Sequence, residues 1–336
     1  MADLHPTRRG RKLANAPVRG LYGRAPQCSQ VATTALREAL IHRGPEQSER
    51  VGGAEKFRLC TPKVYKNGIL LNVVEHKTSK LNLLWRNLPE GLVVDAAWLE
   101  NEGIASNLRS YYATTGWLEQ PARGVYRRSR GNLRWQQVVI SLQTMLHKPF
   151  HVGGRTSLEL QGFGHYLGFE QKQVHLYGPE RPPGWLGVLS LPQAFIVHNS
   201  GRLFPSTPSA RASDSDVTQV GWGQEDWSLT VSSPERAYLE LLDELPHRES
   251  FDQADMIMQG ASNFRPGVLH RLLLTCTSVK VKRLFFFFAD RHQHAWRRRL
   301  TTEGIDLGKG KRQLVTGGRL DPVYLITVPE TLDALS

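Results

Sequence analysis

From Thr78 onward apolar side chains recur at helical spacing: Leu81, Leu84, Trp85 and Leu88 stand three or four residues apart, and the run stops at Pro89-Glu90-Gly91. This pattern predicts a first helix. A second, short helix is predicted from Asp95, an N-cap residue, through Ala96, Ala97, Trp98 and Leu99 to a stop at Gly103. A third runs from about Ala105 to Thr115, ahead of Gly116. Trp117-Leu118-Glu119-Gln120 and Val125-Tyr126-Arg127-Arg128 then read as two strands joined by the tight turn Pro121-Ala122-Arg123-Gly124. Three short helices followed by a two-stranded ribbon is the order of a winged helix-turn-helix, here assigned to 77–130.

Past Arg130 the pattern changes. Trp135 to Leu146 and Thr156 to Leu167 read as helices, with Val174 to Tyr177 and Ala194 to His198 as short strands, so 131–204 is expected to be an α/β unit. The Ser, Pro and Asp-rich stretch from Pro205 to Asp216 reads as exposed chain, and 205–230 is taken as a linker or loop. A mostly helical part, 231–336, follows. Ser233 as N-cap and Pro234 at the first helical position open a helix to Leu245, and others are predicted at Phe251 to Gln259, Pro266 to Thr277 and Val279 to Arg291. Gln313 to Val315 and Tyr324 to Val328 are strand-like. Residues 1–76 are basic and rich in Arg, Gly, Pro, Gln and Ser, which predicts a poorly ordered extension with one short helix from Val31 to His42 and a basic cluster at Arg8, Arg9, Arg11 and Lys12. The expected fold class is α/β of the α+β type, a winged helix-turn-helix followed by a mixed α/β C-terminal region.

Charge narrows the choice of partner. The 336 residues hold 43 Lys and Arg against 31 Asp and Glu, a formal net charge of +12, which favours a polyanion. Cys28, Cys60 and Cys276 are odd in number and widely spaced, which argues against a disulfide framework and a zinc site and fits a reducing cytoplasm. No apolar run approaches the roughly 18 residues of a membrane span, and the basic start is not followed by the apolar stretch of a secretory signal, so a cytoplasmic protein without a membrane partner is expected. No repeat of 20 to 50 residues stands out.

In a winged helix-turn-helix the third helix enters the major groove of duplex DNA. Ile104, Leu108, Tyr111 and Tyr112 are expected on its inner face, leaving Ser106, Asn107, Arg109, Ser110 and Ala113 outward. Asn107 suits an adenine edge or a helix cap, and Arg109 a guanine edge or a phosphate. Arg123 at the wing tip, with Arg127, Arg128 and Arg130 beyond it, is expected to meet backbone phosphates.

Other chemistry is weaker in the sequence. Glu170-Gln171-Lys172 fits a fragment of a restriction-type nuclease site, but 131–169 holds no Asp and only Glu159 as a carboxylate. Asp290, His292 and His294 suggest a metal, yet residues two apart on a helix diverge, and a helix end rich in His and Arg is the simpler account. Neither a phosphate-cradling glycine loop with Lys-Ser or Lys-Thr nor a Gly-x-Ser-x-Gly turn occurs. Gly308-Lys309-Gly310-Lys311-Arg312 is better explained as a hairpin turn than as a nucleotide site. Lys280, Lys282, Arg283, Arg297, Arg298 and Arg299 offer a secondary nucleic-acid contact, while Phe285 to Phe288 read as core, since four exposed phenylalanines would make a large apolar patch. No catalytic residue, metal or cofactor is assigned.

The run LPEGLVVDAAWLENEGIASNLRSYYATTGWLEQPARGVYRR resembles the N-terminal winged helix of the AbiEi family, antitoxins and transcriptional regulators of bacterial type IV toxin-antitoxin systems. LQTMLHKPFHVGGRTSLELQGFGHYLGF resembles that family's central region, and SVKVKRLFFFFADRHQHAW with IDLGKGKRQLVTGGRLDPVYLITVP its C-terminal region. The likeness spans about Lys80 to Pro329. It implies a repressor that binds repeats in its own operon's promoter, with a reading helix at Ala105 to Thr115 and a wing at Trp117 to Arg128. It also implies a C-terminal part that counters a nucleotidyltransferase toxin without a stable complex.

Overall fold

The computed structural model describes residues 80–129, 131–163, 172–205, 216–223 and 226–333, together with the backbone of 65–66 and 69–70. Residues 1–73 form a unit of their own, in which β1 (Tyr65–Lys66) pairs antiparallel with β2 (Ile69–Leu70). The helix expected at Val31 to His42, the cluster Arg8, Arg9, Arg11 and Lys12, Arg130, Glu170-Gln171 and most of Pro205 to Asp216 lie outside the described residues.

Within 74–336 the first elements are α1 (Lys80–Asn87), β3 (Val93–Asp95), α2 (Ala96–Asn101), α3 (Ser106–Thr114), β4 (Glu119–Ala122) and β5 (Val125–Arg127); the helices follow the hydrophobic pattern, while β4 starts two residues later than the expected Trp117 to Gln120 and takes in Pro121 and Ala122. Asp95 caps α2 as expected, its Oδ1 accepting the Trp98 N–H at 2.9 Å. Gly103 takes a φ of 77° in the turn before α3, where a side chain would be strained. Strand β3 is absent from the sequence reading. Its Val93 and Val94 are fully buried, and it pairs antiparallel with β5, so the ribbon becomes a sheet in the order β3-β5-β4. Helices, wing and this added strand form a winged helix.

Helix α4 (Trp135–Ile140) runs into a π-helical turn, Ser141–Met145, and leads to β6 (His151–Val152), α5 (Gly154–Leu160), β7 (Gln173–Gly178), β8 (Ala194–Asn199), α6 (Ser200–Leu203), β9 (Val217–Gly221) and β10 (Ser228–Ser232). The sheet order is β8-β7-β6-β10-β9, with β7 parallel to β8 and β6 parallel to β10. The segment 205–230, expected as a linker or loop, therefore carries β9 and the start of β10. Thr218 and Gln219, adjacent and both exposed, fit an edge strand open to solvent on both faces.

Side chains alternate across this sheet, and the two faces differ in kind. Val152, Val174, Leu176, Leu229 and Val231 share one core with Leu84, Leu88, Val94, Leu99, Ile104 and Val125 of the winged helix, with Trp135 and Val138 between them. Ser141 locks this junction: its hydroxyl accepts the Val93 N–H at 2.8 Å and donates to Gln137 O at 2.6 Å. A second core belongs to α7 (Pro234–Asp243), α8 (Phe251–Gly260), α9 (Pro266–Thr275) and α10 (Val279–His292). Phe285, Phe286 and Phe288 are fully buried there, as their run predicts. The closing strand pair is β11 (Arg319–Leu320) with β12 (Thr327–Val328), whereas Leu314 and Val315, expected in a strand, donate their N–H groups to Thr327 Oγ1.

The opposite face of the central sheet is polar. Tyr177 stacks on His198 at 4.5 Å and on His151 at 5.9 Å, and His175 Nδ1 lies 3.0 Å from His198 Nε2. Against these rings α7 places Glu240, fully buried, whose Oε2 accepts from Gly154 N at 3.0 Å and Ser232 Oγ at 2.8 Å, while Oε1 accepts from Arg236 Nε at 2.8 Å. Burial would raise this carboxyl, but His151 and Arg236 outweigh it and hold it down at about 2. Burial dominates at His175, pushed down to about 4, with the neighbouring His198 adding to the effect.

Glu240→Gln strands the Arg236 charge and is expected to destabilise the chain by about 3 kcal/mol or more near neutral pH, read by urea unfolding. Because the folded pKa lies below the unfolded value of 4.5, that contribution is full above pH 4.5 and fades as pH falls towards 2, so variant and wild type converge in acid. Glu249 behaves oppositely, since burial raises it to about 7 and Arg155 Nη1, at 3.8 Å, offsets this only in part. Its folded form holds a proton that the unfolded chain has lost, so stability declines as pH rises from 4.5 to 7. Glu249→Gln should stabilise above pH 7 by up to about 3 kcal/mol and have little effect below pH 4.5; equal melting shifts at both pH values would refute this.

Candidate nucleic-acid interface

Helix α3 exposes Ser106, Asn107, Ser110, Tyr111 and Thr114 along one side. Its cap residue Ala105 has no side-chain acceptor, and the N–H groups of Ser106 and Asn107 find none among the described residues, leaving the positive end of the helix open. Ser110 and Thr114 donate their hydroxyls to helix carbonyls, of Ser106 at 3.0 Å and Ser110 at 2.8 Å, so their oxygens still present lone pairs outward. Asn107 Oδ1 faces the Leu108 N–H at 2.8 Å, and its amide nitrogen has no partner among the described residues.

The structure exchanges two residues relative to the sequence reading. Tyr111, expected inside, is 58% exposed, and Arg109, expected to face outward, is 9% exposed. The guanidinium of Arg109 turns into the domain and donates through Nη1 to Ile104 O at 3.0 Å and Ala96 O at 3.3 Å, bridging α2 and the turn into α3. The buried side of α3 runs through Leu108, Arg109 and Tyr112, a phase that the aromatic pair Tyr111-Tyr112 obscures in the sequence. Arg109 thus fastens the helix-turn-helix and is withdrawn from the outer face.

The wing arginines divide in the same way. Arg123 is exposed at the tip and has no ion pair among the described residues. Arg127, expected on a phosphate, is 3% exposed and binds Glu119 Oε2 at 2.9 Å and Gly131 O at 2.8 Å. Arg128 caps α1 from below, donating to Trp85 O at 3.0 Å, Leu88 O at 2.9 Å and Glu90 at 2.8 Å, and lies 3.9 Å over the Trp85 ring. Arg127 ties the two wing strands and the chain that follows them together, and Arg128 holds the ribbon to α1. Of the described wing arginines, Arg123 alone is exposed.

Most of the C-terminal basic cluster is also internal. Helix α10 is buried around most of its girth, and its Lys280 and Arg283 satisfy carbonyls of neighbouring segments. Lys280 donates to Leu245 O at 2.9 Å, Lys282 is buried, and Arg283 donates to Leu307 O at 2.6 Å and Gly310 O at 2.7 Å. Arg297 pairs with Asp290 at 2.6 Å and lies over Phe286, while Arg298 and Arg299 are exposed. The residues weighed as metal ligands separate as well: Asp290 pairs with Arg297 and Tyr324, His292 Nε2 lies 2.7 Å from Asp255 Oδ1, and His294 Nε2 lies 2.7 Å from Met258 O.

A three-helix domain closed by a wing is a winged helix, here with an exposed polar helix face and a cationic tip. Two family models together match 77–329: the N-terminal domain of the AbiEi antitoxin transcriptional regulators at 77–169, and the AbiEi antitoxin transcriptional regulator of type IV toxin-antitoxin systems at 171–329. The chain belongs to this family of AbiEi antitoxins and transcriptional regulators. None of the curated proteins matches it. Among solved structures it is similar to the crystal structure of the RV2827C protein from Mycobacterium tuberculosis, with a TM-score of 0.49 and 15% identity, covering 74% of this chain and 90% of that one. No helix among the described residues is long and apolar enough to cross a membrane.

Because Arg109 serves the fold, Arg109→Ala is expected to destabilise the chain by about 1–3 kcal/mol, leaving the Ile104 carbonyl without its buried donor. Below its melting temperature the variant should keep the wild-type preference among DNA sequences. A thermal melt at wild-type midpoint combined with altered base preference would return Arg109 to the outer face.

Proposed function

We propose that this chain binds duplex DNA at the promoter of its own operon and represses it, with α3 in the major groove and the wing tip on the backbone. The observation that carries the reading is the exposed face of α3, where Asn107 and Tyr111 stand among small hydroxyl side chains beside an uncapped helix start. Asn107 offers an amide that can meet an adenine edge, and Tyr111 an apolar ring that can meet a thymine methyl and a hydroxyl that can meet a phosphate. Ser106, Ser110 and the open N–H groups suit phosphate oxygens. Arg123 supplies a salt-sensitive backbone contact, while Arg127 and Arg128 hold the wing that carries it. Arg130, two residues further along the sequence, is offered as a further phosphate contact.

In the same reading the chain acts as antitoxin to a nucleotidyltransferase toxin, without a stable complex between them and without a cofactor. Family membership supports this role. A toxin gene of that class beside this one would strengthen it, and a lone gene would favour a stand-alone winged-helix repressor.

Gel-shift titration on the chain's own upstream DNA and on scrambled DNA tests the DNA reading. Asn107→Ala and Tyr111→Ala are expected to reduce the preference for the upstream sequence, each by about tenfold at a well-formed contact. Arg123→Ala should weaken both DNAs alike and make the log–log salt slope shallower by about one. Unchanged affinity in all three variants would remove α3 and the wing from the contact.

A further inference from the structure

The glycine-rich basic run Gly308-Lys309-Gly310-Lys311-Arg312 is exposed along its whole length. Gly308 and Gly310 have φ values of 64° and 77°, and Lys309 between them does not share the positive sign, so the backbone alternates in hand. Such alternation turns successive N–H groups towards one side and makes a concavity that takes an anion. Three consecutive N–H groups, those of Lys309, Gly310 and Lys311, have no acceptor among the described residues. Their neighbours are engaged: Gly308 N–H donates to Asp306 Oδ1 at 2.7 Å and Arg312 N–H to Leu325 O at 2.8 Å.

The other side of the loop is held from within. Arg283, 3% exposed, donates to the carbonyls of Leu307 at 2.6 Å, Gly310 at 2.7 Å and Leu325 at 3.3 Å. Gly308 lies so close to Val279, at the head of α10, that a Cβ would come within 3.1 Å of its side chain. A buried guanidinium therefore fixes the carbonyls inward and leaves the amides to solvent. Around them Lys309, Lys311 and Arg312 are exposed and without ion pairs among the described residues; the acidic side chain bonded to the loop is Asp306.

We propose that the loop 308–312 binds a phosphate of a nucleic-acid backbone, its three open amides taking the oxygens and Lys309, Lys311 and Arg312 supplying the charge. A free phosphorylated metabolite fits less well, because small ligands are held in concave sites that bury most of their surface. This loop is exposed throughout and has no walls for a base or sugar. Backbone contacts to a polyanion are shallow, driven by charge and indifferent to sequence. The assignment is independent of the winged-helix reading.

The test uses the full chain and a labelled duplex of mixed sequence unrelated to its promoter, with affinity followed from about 50 to 200 mM salt. Lys309→Glu with Lys311→Glu is expected to weaken binding and make the salt slope shallower by about one to two, at an unchanged melting temperature. Arg298→Glu with Arg299→Glu makes the same change in net charge elsewhere and is expected to have a clearly smaller effect. Equal losses in the two double variants, or no loss at the loop, would overturn the proposal. Amide spectra with inorganic phosphate form the second arm: saturable shifts at Lys309 to Lys311 in phosphate, with duplex binding unaffected by the loop variant, would make the loop a small-anion site and overturn the nucleic-acid assignment. Arg123→Ala, measured in parallel, reports on the wing alone, so failure of either contact is distinguishable from failure of the other.

Discussion

The buried carboxylate of Glu240 is the constraint around which the middle of the molecule is arranged. A fully enclosed negative charge is tolerated only where donors surround it, and here they come from three stretches of chain: the Gly154 amide after β6, the Ser232 hydroxyl at the end of β10, and Arg236 one turn earlier on α7. The demand reaches the sequence directly. At Gly153 a Cβ would lie 2.2 Å from Glu240 Oε2 and 2.5 Å from the Tyr177 ring, so the glycine just before α5 leaves the space that Glu240 and Tyr177 require. The histidines and tyrosine on the same sheet face make the seam polar where most sheet-helix contacts are oily.

That seam separates two cores of different origin. On one side α7 to α10 pack aromatic and aliphatic side chains around the phenylalanine run. On the other, the second face of the sheet joins the winged helix and α4 in a single apolar interior. The buried arginines belong to the same logic. Arg109, Arg127 and Arg283 each direct a guanidinium at carbonyls that a turn or chain end would otherwise leave without donors, and each thereby orients an exposed neighbour: the face of α3, the wing tip and the loop 308–312.

Much of this was legible beforehand because it rests on local rules. Asp95, Ser233 and Pro234 mark helix starts by their own chemistry, and the spacing of Leu81, Leu84 and Leu88 fixes the face of α1. Strands of two or three residues were not, since β3 and β6 exist only through partners distant in sequence. The polar edge strand β9 was hidden in the same way. At the candidate interface Asn107, Ser110 and Arg123 are exposed as their types suggest, but the destination of an arginine depends on which carbonyls lack donors nearby. That is a property of the folded chain, and it is why Arg109, Arg127 and Arg128 read as surface charges. The basic glycine loop reads as a turn in the sequence, and only the folded chain reveals which of its amides that turn leaves without acceptors.

The common interior of winged helix and sheet carries a consequence for how such a chain can change. A reading head tethered by a flexible linker can be exchanged between proteins as a cassette. Here excision would expose Val152, Val174, Leu176, Leu229 and Val231 to water and remove the hydroxyl of Ser141 from the amide of Val93. Recombination at 130 would therefore open that shared interior on both sides, so the winged helix and the sheet have to be inherited as one unit.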